Sequence, residues 1–278
     1  LIVGDSVLCI AVADENRVEF VNTTTKKADA AVSIDNPREL AYESGSNYLY
    51  VSSYTGKVYK IDMTTRTIAG ESEKVGANLE GIAVAGNKLY VCNSCSSDYT
   101  TYYKNVVELN ASTLAKNQDI DVVDDPVDVI NAGSAIFILS MGIYDDKDKP
   151  ATVQMLKDGQ LSTIGNATMM AYDAYNDQLY MINAPFGGDK EYKVYNLKNG
   201  QTTTFLTNPD ICSPYSLAVN PVNGDVFITS STKNPDTGYA DYTADCKLYR
   251  YTSAGILLGT YDCGVNPGTI VCDSYYQK

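Results

Sequence analysis

The sequence repeats one unit at intervals of 40 to 47 residues along its whole length. Each copy contains a short β-rich stretch, such as the run from Leu49 to Ser52, at the same place in the unit. A fixed period of this size is typical of repeat architectures, in which neighbouring units stack to bury a shared core. The residues at the matched position are Leu8, Leu49, Leu89, Ile136, Leu179 and Val226.

Within the unit, the pattern predicts four β-strands and no amphipathic helix. In the second copy the strands fall at residues 40–42, 48–52, 57–62 and 67–69, and polar turn residues separate them. Four-stranded units of this length are typical of β-propeller blades. A pair of β-sandwiches is the alternative, but a sandwich has no reason to repeat a motif at a fixed period. We therefore predict an all-β chain that forms a single β-propeller domain over residues 1–278.

The two ends of the sequence predict how the propeller closes. Residues 266–272 match the first-strand motif of residues 36–42, and the chain then stops. We therefore expect the N- and C-terminal strands to share one blade, which closes a ring of six blades and protects the sheet edges. In the alternative, residues 1–3 end an inner strand of their own, which implies a seventh blade upstream. The stretches that resemble second, third and fourth strands of the shared blade are 7–13, 17–22 and 27–32.

Composition excludes several classes of function. With 21 basic and 34 acidic residues the net charge is −13, which repels the phosphate backbone of nucleic acids. The absence of histidine removes His-dependent triads and His-ligated metal sites. No run of apolar residues is long enough to span a bilayer. We expect no metal and no catalytic cofactor.

Seven cysteines in a chain without a zinc-type ligand set favour an oxidising compartment. A two-residue hairpin turn at residues 254–255 places Cys246 directly opposite Cys263 on neighbouring strands, at a separation that a disulfide spans. Two reduced, packed thiols are the alternative. Because seven is odd, at least one cysteine has no partner within the chain.

The other cysteines allow further pairings. If the terminal strands share one blade, Cys9 and Cys272 lie side by side, and a disulfide would lock the two ends together. Cys92 and Cys95 form a single CxxC, which lacks the second pair that zinc needs. We expect these two to bridge each other or one of them to bridge Cys212, and we expect no redox role.

The ligand face of a propeller is formed by the loops between second and third strands and by the loops that enter each blade. Here those loops are long and rich in Tyr and Asn, while turns elsewhere are minimal. Long loops on a rigid scaffold concentrate binding residues, and Tyr offers contact area at low entropic cost. A Tyr-rich chain also places Tyr in loops without function. The ligand-binding candidates are Asn36, Arg38, Tyr54, Asn93, Tyr99, Tyr102, Tyr103, Tyr144, Asp146, Asn183, Phe186, Tyr215 and Tyr239.

Some polar residues in these loops have simpler interpretations. Asn36, Asp125 and Asn266 each precede a proline, where turn chemistry is the favoured explanation. The acidic stretches 119–128 and 145–148 match no EF-hand loop, so a solvated surface is favoured over a calcium site.

The second repeat resembles a known family. Its residues 49–62 read LYVSSYTGKVYKID, which is similar to the repeat of YncE-like, YVTN-type β-propellers, and the acidic, Tyr-rich composition resembles surface propellers of Bacteroidetes. The resemblance covers nearly the whole chain, and such propellers usually have seven blades. One branch, the BtuG-type surface lipoproteins, captures cobalamin and delivers it to a TonB-dependent outer-membrane transporter.

These observations lead to one functional hypothesis and two alternatives. We expect a non-enzymatic binding propeller, exported to the cell surface or periplasm, whose amide-rich and Tyr-rich face holds a small polar ligand; the resemblance favours cobalamin. Any targeting segment or lipid anchor would lie upstream of Leu1. A glycan- or protein-binding scaffold is the first alternative. A propeller hydrolase or lyase with Asp124, Asp125 and Asp146 as carboxylates is the second.

Overall fold

Each repeat of the sequence folds into one antiparallel sheet of four main strands. The computed structural model describes residues 1–4, 6–43 and 45–273 and contains six such sheets, which we call blades 1 to 6 in chain order. Strands that follow one another in sequence are hydrogen-bonded neighbours within each blade. The described residues contain one short 3-10 helix, Ala13–Glu15. The predicted all-β fold, a β-propeller with six four-stranded blades, is confirmed.

The chain divides into two compact units, of which the first, Leu1–Gly165, contains blades 1 to 4. The prediction of a single domain over residues 1–278 stays a prediction. The strands of the first unit are β1 (Ile2–Val3), β2 (Val7–Val12), β3 (Arg17–Asn22), β4 (Lys27–Ser33), β5 (Pro37–Glu43), β6 (Tyr48–Ser53), β7 (Val58–Asp62), β8 (Thr67–Glu71), β9 (Leu79–Ala85), β10 (Lys88–Cys95), β11 (Tyr102–Asn110), β12 (Lys116–Asp121), β13 (Pro126–Asn131), β14 (Ile136–Ser140), β15 (Thr152–Lys157) and β16 (Gln160–Gly165).

The second unit, Asn166–Lys278, contains blades 5 and 6. Blade 6 includes a two-residue strand, β23, that pairs with the far end of β22. No helix among the described residues has the length and apolar character needed to cross a membrane. The strands of the second unit are β17 (Met169–Asp173), β18 (Gln178–Asn183), β19 (Glu191–Asn196), β20 (Gln201–Leu206), β21 (Ser213–Val219), β22 (Val226–Lys233), β23 (Ala240–Asp241), β24 (Cys246–Tyr251) and β25 (Leu257–Cys263).

The prediction that the two terminal strands share one blade is wrong. Blade 1 takes its first strand from the start of the chain, because β1 pairs with β2 and the backbone N–H of Cys9 donates to the Leu1 carbonyl at 2.8 Å. Residues 264–273 form no strand. Asn266 turns the backbone with a φ of 50°, and the Pro267 carbonyl accepts a hydrogen bond from Thr229 of blade 6 at 2.9 Å. The alternative placed an inner strand at residues 1–3 correctly, and this strand is the first strand of blade 1.

The cysteine predictions have mixed outcomes. Cys246 lies directly opposite Cys263, as predicted, although the connecting turn is longer than two residues and a bulge beside Arg250 restores the register. Both are free thiols in the structure, and their disulfide stays a prediction. Cys9 and Cys272 are also free, and the shared blade on which their pairing depended is not formed.

The CxxC cysteines are free and buried, and Cys212 is a half-buried free thiol. Complete burial raises the pKa of the Cys92 thiol, and the nearby carboxylates of Asp128, Glu80 and Asp125 raise it further. A thiol in this environment stays protonated and unreactive.

The second strand of each blade in the first unit carries the core. Side chains alternate across a strand, so Leu49 and Val51 of β6 pack with Phe20 of blade 1, whereas Tyr50 packs with Leu89 of blade 3. Both faces of β6 are therefore buried, which explains its nearly continuous apolar sequence. Blade 2 is therefore covered by blade 1 on one face and by blade 3 on the other.

The tyrosine of the repeated motif also makes a hydrogen bond between blades. The Tyr50 hydroxyl donates to the Ala111 carbonyl in a turn of blade 3 at 3.1 Å. At the matching position in the second unit, the Tyr180 hydroxyl of blade 5 donates to the Ser253 carbonyl of blade 6 at 3.2 Å. A buried hydroxyl requires such a partner. Tyr50 and Tyr180 thus have a structural role at the contacts between blades.

We predict that Tyr50→Phe lowers the free energy of unfolding by about 1 kcal/mol, because it removes one buried hydrogen bond and leaves a carbonyl without its donor. Tyr50→Ala should cost about 3–5 kcal/mol, since it also opens a cavity between two blades. Urea unfolding followed by circular dichroism measures both. Equal stability of Tyr50→Phe and the unmodified protein would contradict the structural role of this hydroxyl.

Candidate functional site

The loops between the second and third strands, which we call the upper loops, are short in blades 1 and 2. In blades 3 to 6 they are longer and carry exposed aromatic rings. In the first unit, the exposed aromatic side chains among the described residues are Tyr99 and Tyr144, at 60% and 80% exposure, and both lie on upper loops. Solvated aromatic rings that are confined to one set of loops are a feature of binding surfaces.

The upper loops of the second unit have the same character. Phe186, between β18 and β19, is 92% exposed, and Tyr239, between β22 and β24, is 79% exposed. Tyr215 lies near the start of the first strand of blade 6 at 39% exposure. Tyr175 and Tyr261 are exposed elsewhere, on a first-to-second-strand turn and on an outer strand.

The loop at residues 96–101 is fixed by short-range polar contacts that present Tyr99. The Asp98 carboxylate accepts hydrogen bonds from the Ser96 hydroxyl at 2.5 Å and from the Thr100 hydroxyl at 2.8 Å. These bonds lower the pKa of Asp98. Tyr99 itself has a φ of 58°, a conformation that is uncommon for an aromatic residue. The surrounding contacts therefore maintain a strained backbone at the residue that carries the exposed ring.

The loop at residues 141–151 follows the same principle. The backbone N–H of Ile143 donates to the Lys149 carbonyl at 3.0 Å, which closes the loop. The Asp146 carboxylate accepts a hydrogen bond from the backbone N–H of Asp148 at 3.0 Å. Asp146 is therefore used in part to hold the turn, and Tyr144 projects from it.

Near Tyr99, the side chains of Arg38, Glu80 and Tyr54 form an ordered charged group. The Arg38 guanidinium contacts both carboxylate oxygens of Glu80, with Nε 3.2 Å from Oε2 and Nη2 3.3 Å from Oε1. It also lies over the Tyr54 ring, 4.4 Å from the centroid, and the Tyr54 hydroxyl donates to the same carboxylate. Desolvation and Glu80 raise the pKa of Tyr54, and the Tyr99 hydroxyl adds to this effect. Arg38 is therefore held as a planar, charge-paired surface beside two tyrosines.

Two further carboxylates lie on the first strands beside this group. Desolvation raises the pKa of Glu39 on β5 to about 7, and Asp128 and Glu80 add to the shift. Desolvation also raises the pKa of Asp128 on β13 to about 6. Near neutral pH these groups exchange between carboxylate and carboxylic acid, so they can accept or donate a hydrogen bond.

Gly81 allows these strands to approach each other. A Cβ atom at this position on β9 would lie 2.6 Å from the Cα atom of Asp128 on β13, so a larger residue would push the strands apart. The glycine occupies the position that Glu39 and Asp128 occupy in the neighbouring blades, as the strand registers show. Because Gly81 has no side chain, the strands that carry Glu39 and Asp128 can lie closer together.

The acidic pair at the entry to blade 4 is engaged with neighbouring groups. Asp125 accepts a hydrogen bond from the Ser94 hydroxyl at 2.5 Å, and burial raises its pKa. Asp124 lies 3.5 Å from Lys104 Nζ and 3.9 Å from Lys149 Nζ. Asp125 also has a φ of 59°, as Asn36 has one of 44°. Together with Asn266 in the second unit, these residues confirm the turn-chemistry interpretation.

The remaining predicted residues are less exposed than their predicted positions in loops suggest. Asn93 is buried, and its amide oxygen accepts from the Ala77 N–H while its nitrogen donates to Asn105 Oδ1, both at 2.9 Å. Tyr102 and Tyr103 are half-buried at the start of β11, and Asn183 is half-buried at the end of β18. The binding role of the candidate residues stays a prediction.

Sequence reasoning missed Glu39 and Asp128. The signal was present, because each is an acidic residue inside a short first strand that is otherwise largely apolar, in PRELAY and PVDVIN. A charge in a first strand that packs against the first strand of a neighbouring blade requires a reason, and pKa perturbation at such positions marks candidate sites. The described residues contain no cluster of Cys, Asp and Glu that could hold a metal ion.

The blades and loops define a β-propeller, and comparison with known proteins agrees on the fold. The sequence matches no family model and no curated protein. Among solved structures, it is similar to a quinonprotein alcohol dehydrogenase-like protein from Bacteroides thetaiotaomicron, with a TM-score of 0.66 and 14% identity over 93% of this chain and 66% of the other, which is just under two thirds of its length. It is also similar to U3-55K, with a TM-score of 0.67 and 10% identity over 95% of this chain and 80% of the other.

The raised pKa of Glu39 predicts a specific pH dependence of stability. Because its pKa is near 4.5 when unfolded and about 7 when folded, the folded state binds more protons, so stability falls as pH rises between these values. We predict that Glu39→Gln raises the melting temperature at pH 8 and flattens the decline between about pH 4.5 and 7. Thermal melts across this range measure the effect.

Glu73→Gln, an exposed loop residue, provides the matched control and should leave the profile unchanged. A steep decline that persists in Glu39→Gln would show that Glu39 does not titrate in this window.

Proposed function

We propose that this chain is a non-enzymatic binding propeller that captures a small polar ligand on its upper loops. Cobalamin is the proposed ligand, in keeping with the resemblance of the repeats to YncE-like propellers and their BtuG-type branch. In this proposal the protein is exported to the cell surface or periplasm and passes the ligand to a TonB-dependent outer-membrane transporter.

The observation that carries the proposal is the placement of exposed rings in the first unit. Tyr99 and Tyr144 project from upper loops while the motif tyrosines are buried in the core. Tyr99 lies near Tyr54, whose hydroxyl and ring contact Glu80 and Arg38. Cobalamin has a broad flat corrin face and a rim of amide groups, which match aromatic faces and hydrogen-bonding side chains respectively.

The carboxylates of the hydrolase alternative already make structural contacts, which supports a non-catalytic role. A general acid or base must reach the proton that it transfers. Asp124 lies beside two lysines, Asp125 accepts from Ser94, and Asp146 accepts from the Asp148 backbone. Each carboxylate of the hydrolase alternative thus has a structural partner.

The proposal predicts that the purified protein retains cobalamin through desalting and binds it in a calorimetric titration. Tyr99→Ala and Tyr144→Ala should each weaken binding at least about tenfold, the equivalent of about 1.4 kcal/mol, because central tyrosines contribute strongly to binding. Phe186→Ala tests the upper loops of the second unit separately.

Tyr175→Ala is the matched control, since Tyr175 is 63% exposed but lies on a first-to-second-strand turn. Its affinity for cobalamin should equal that of the unmodified protein. No retention of cobalamin would remove the ligand from the proposal. Unchanged affinity in Tyr99→Ala and Tyr144→Ala would move the site away from the upper loops of the first unit.

A further inference from the structure

A cavity lies between blades 3 and 4, at the ends of the strands opposite to the upper loops. Its volume is about 430 Å³, within the range of small-molecule sites. First-to-second-strand turns of both blades and the third-to-fourth-strand turn of blade 4 border it. The corresponding cavity between blades 2 and 3 measures only about 260 Å³. The cavity between blades 3 and 4 is therefore larger than the corresponding one between blades 2 and 3.

The cavity has an apolar floor and polar walls. Tyr90, Ile136 and Leu156 contribute to its floor, where they continue the core between the two blades. Gln118 and Lys157 stand on opposite walls, one from each blade. This combination of an apolar surface with a few surrounding polar groups is the usual construction of a ligand site.

A buried carboxylate orders the wall of blade 3. The Glu108 side chain is only 6% exposed, and it accepts hydrogen bonds from Lys88 Nζ at 3.1 Å, Asn117 Nδ2 at 3.0 Å and Gln118 Nε2 at 3.2 Å. Burial alone would raise its pKa, but the hydrogen bonds from these three side chains outweigh burial and lower the pKa. Glu108 is therefore ionised at neutral pH and holds Lys88 and Gln118 in place.

This order matters for binding because long polar side chains normally lose entropy when they contact a ligand. Here Glu108 has already fixed Lys88 and Gln118, so less entropy remains to be lost. The Gln118 side chain keeps its amide oxygen and one N–H for another partner, and Lys88 keeps two of its three N–H groups.

The wall of blade 4 offers groups that the protein does not use. Ser134, Lys157 and Asp158 are exposed at the cavity, and within the described part of the chain Lys157 and Asp158 make no ion pair. Asn131, in contrast, joins the blades by donating to the Val84 carbonyl at 2.8 Å. The Asn131 hydrogen bond therefore links the two blades at the edge of the cavity, and side chains on both walls can still donate and accept hydrogen bonds.

We propose that this cavity is a second binding site, and that it takes a neutral carbohydrate of one or two sugar rings. Charged side chains of both signs line the cavity: Lys88 and Lys157 are basic, and Glu108, Asp119 and Asp158 are acidic. Their charges nearly cancel, although the whole chain has a net charge of −13. A strongly charged ligand gains little there. A sugar ring presents C–H groups to an apolar floor and hydroxyls that both donate and accept to the walls. This site is independent of the function proposed for the upper loops.

The test uses maltose, cellobiose and lactose as probes with the full chain, followed by saturation-transfer NMR and titration. At least one disaccharide should bind at millimolar concentration. Gln118→Ala and Lys157→Ala should each weaken that binding about 3- to 10-fold, which corresponds to the loss of one hydrogen bond. Both residues are exposed, and thermal melts should show that both variants fold like the unmodified protein.

Gln201→Ala, an exposed glutamine on the outer strand of blade 5, is the matched control and should bind as the unmodified protein does. Saturating cobalamin should leave the sugar affinity unchanged. The proposal is overturned if none of the three sugars binds, if both wall variants bind normally, or if cobalamin displaces the sugar, since displacement would place the sugar on the upper loops.

Discussion

The structure depends on blade-to-blade packing, in which the second strands of blades 2, 3 and 4 are buried on both faces. Leu49 and Val51 face one neighbouring blade and Tyr50 faces the other. Since a four-stranded sheet this small has no core of its own, each blade is stable only against its neighbours. The hydroxyl of the motif tyrosine adds a hydrogen bond across the same interface, which fixes the relative position of neighbouring blades as well as burying apolar surface.

That packing separates structural residues from residues available for function. The strand centres are committed to the core, so chemistry is confined to strand ends and loops. At one end, Tyr99 lies near the group of Tyr54, Arg38 and Glu80, and Tyr144 projects from a separate upper loop. At the other end, Glu108 orders a cavity of opposite character, with balanced charges and an apolar floor.

The sequence was sufficient to predict the repeat, the strand order and the six blades, because a period of 40 to 47 residues and alternating apolar strands are local signals. It also predicted that Cys246 opposes Cys263, although the turn between them was misjudged. It failed where the outcome depends on long-range competition. Residues 266–272 resemble a first strand, but Asn266 and Pro267 turn the backbone, and β1 already occupies that place in blade 1. The roles of Glu39 and Asp128 were missed because their pKa shifts arise mainly from desolvation by strands of neighbouring blades, which local sequence does not encode.

Hydrogen–deuterium exchange with and without cobalamin tests the assignment of binding to the upper loops most directly, because it reports on every loop at once. If the upper loops bind cobalamin, exchange should be slower in peptides that cover residues 96–101 and 141–151 when cobalamin is present, with no change in the turns at the opposite ends of the strands. Protection confined to those opposite turns, or no protection anywhere, would contradict this assignment.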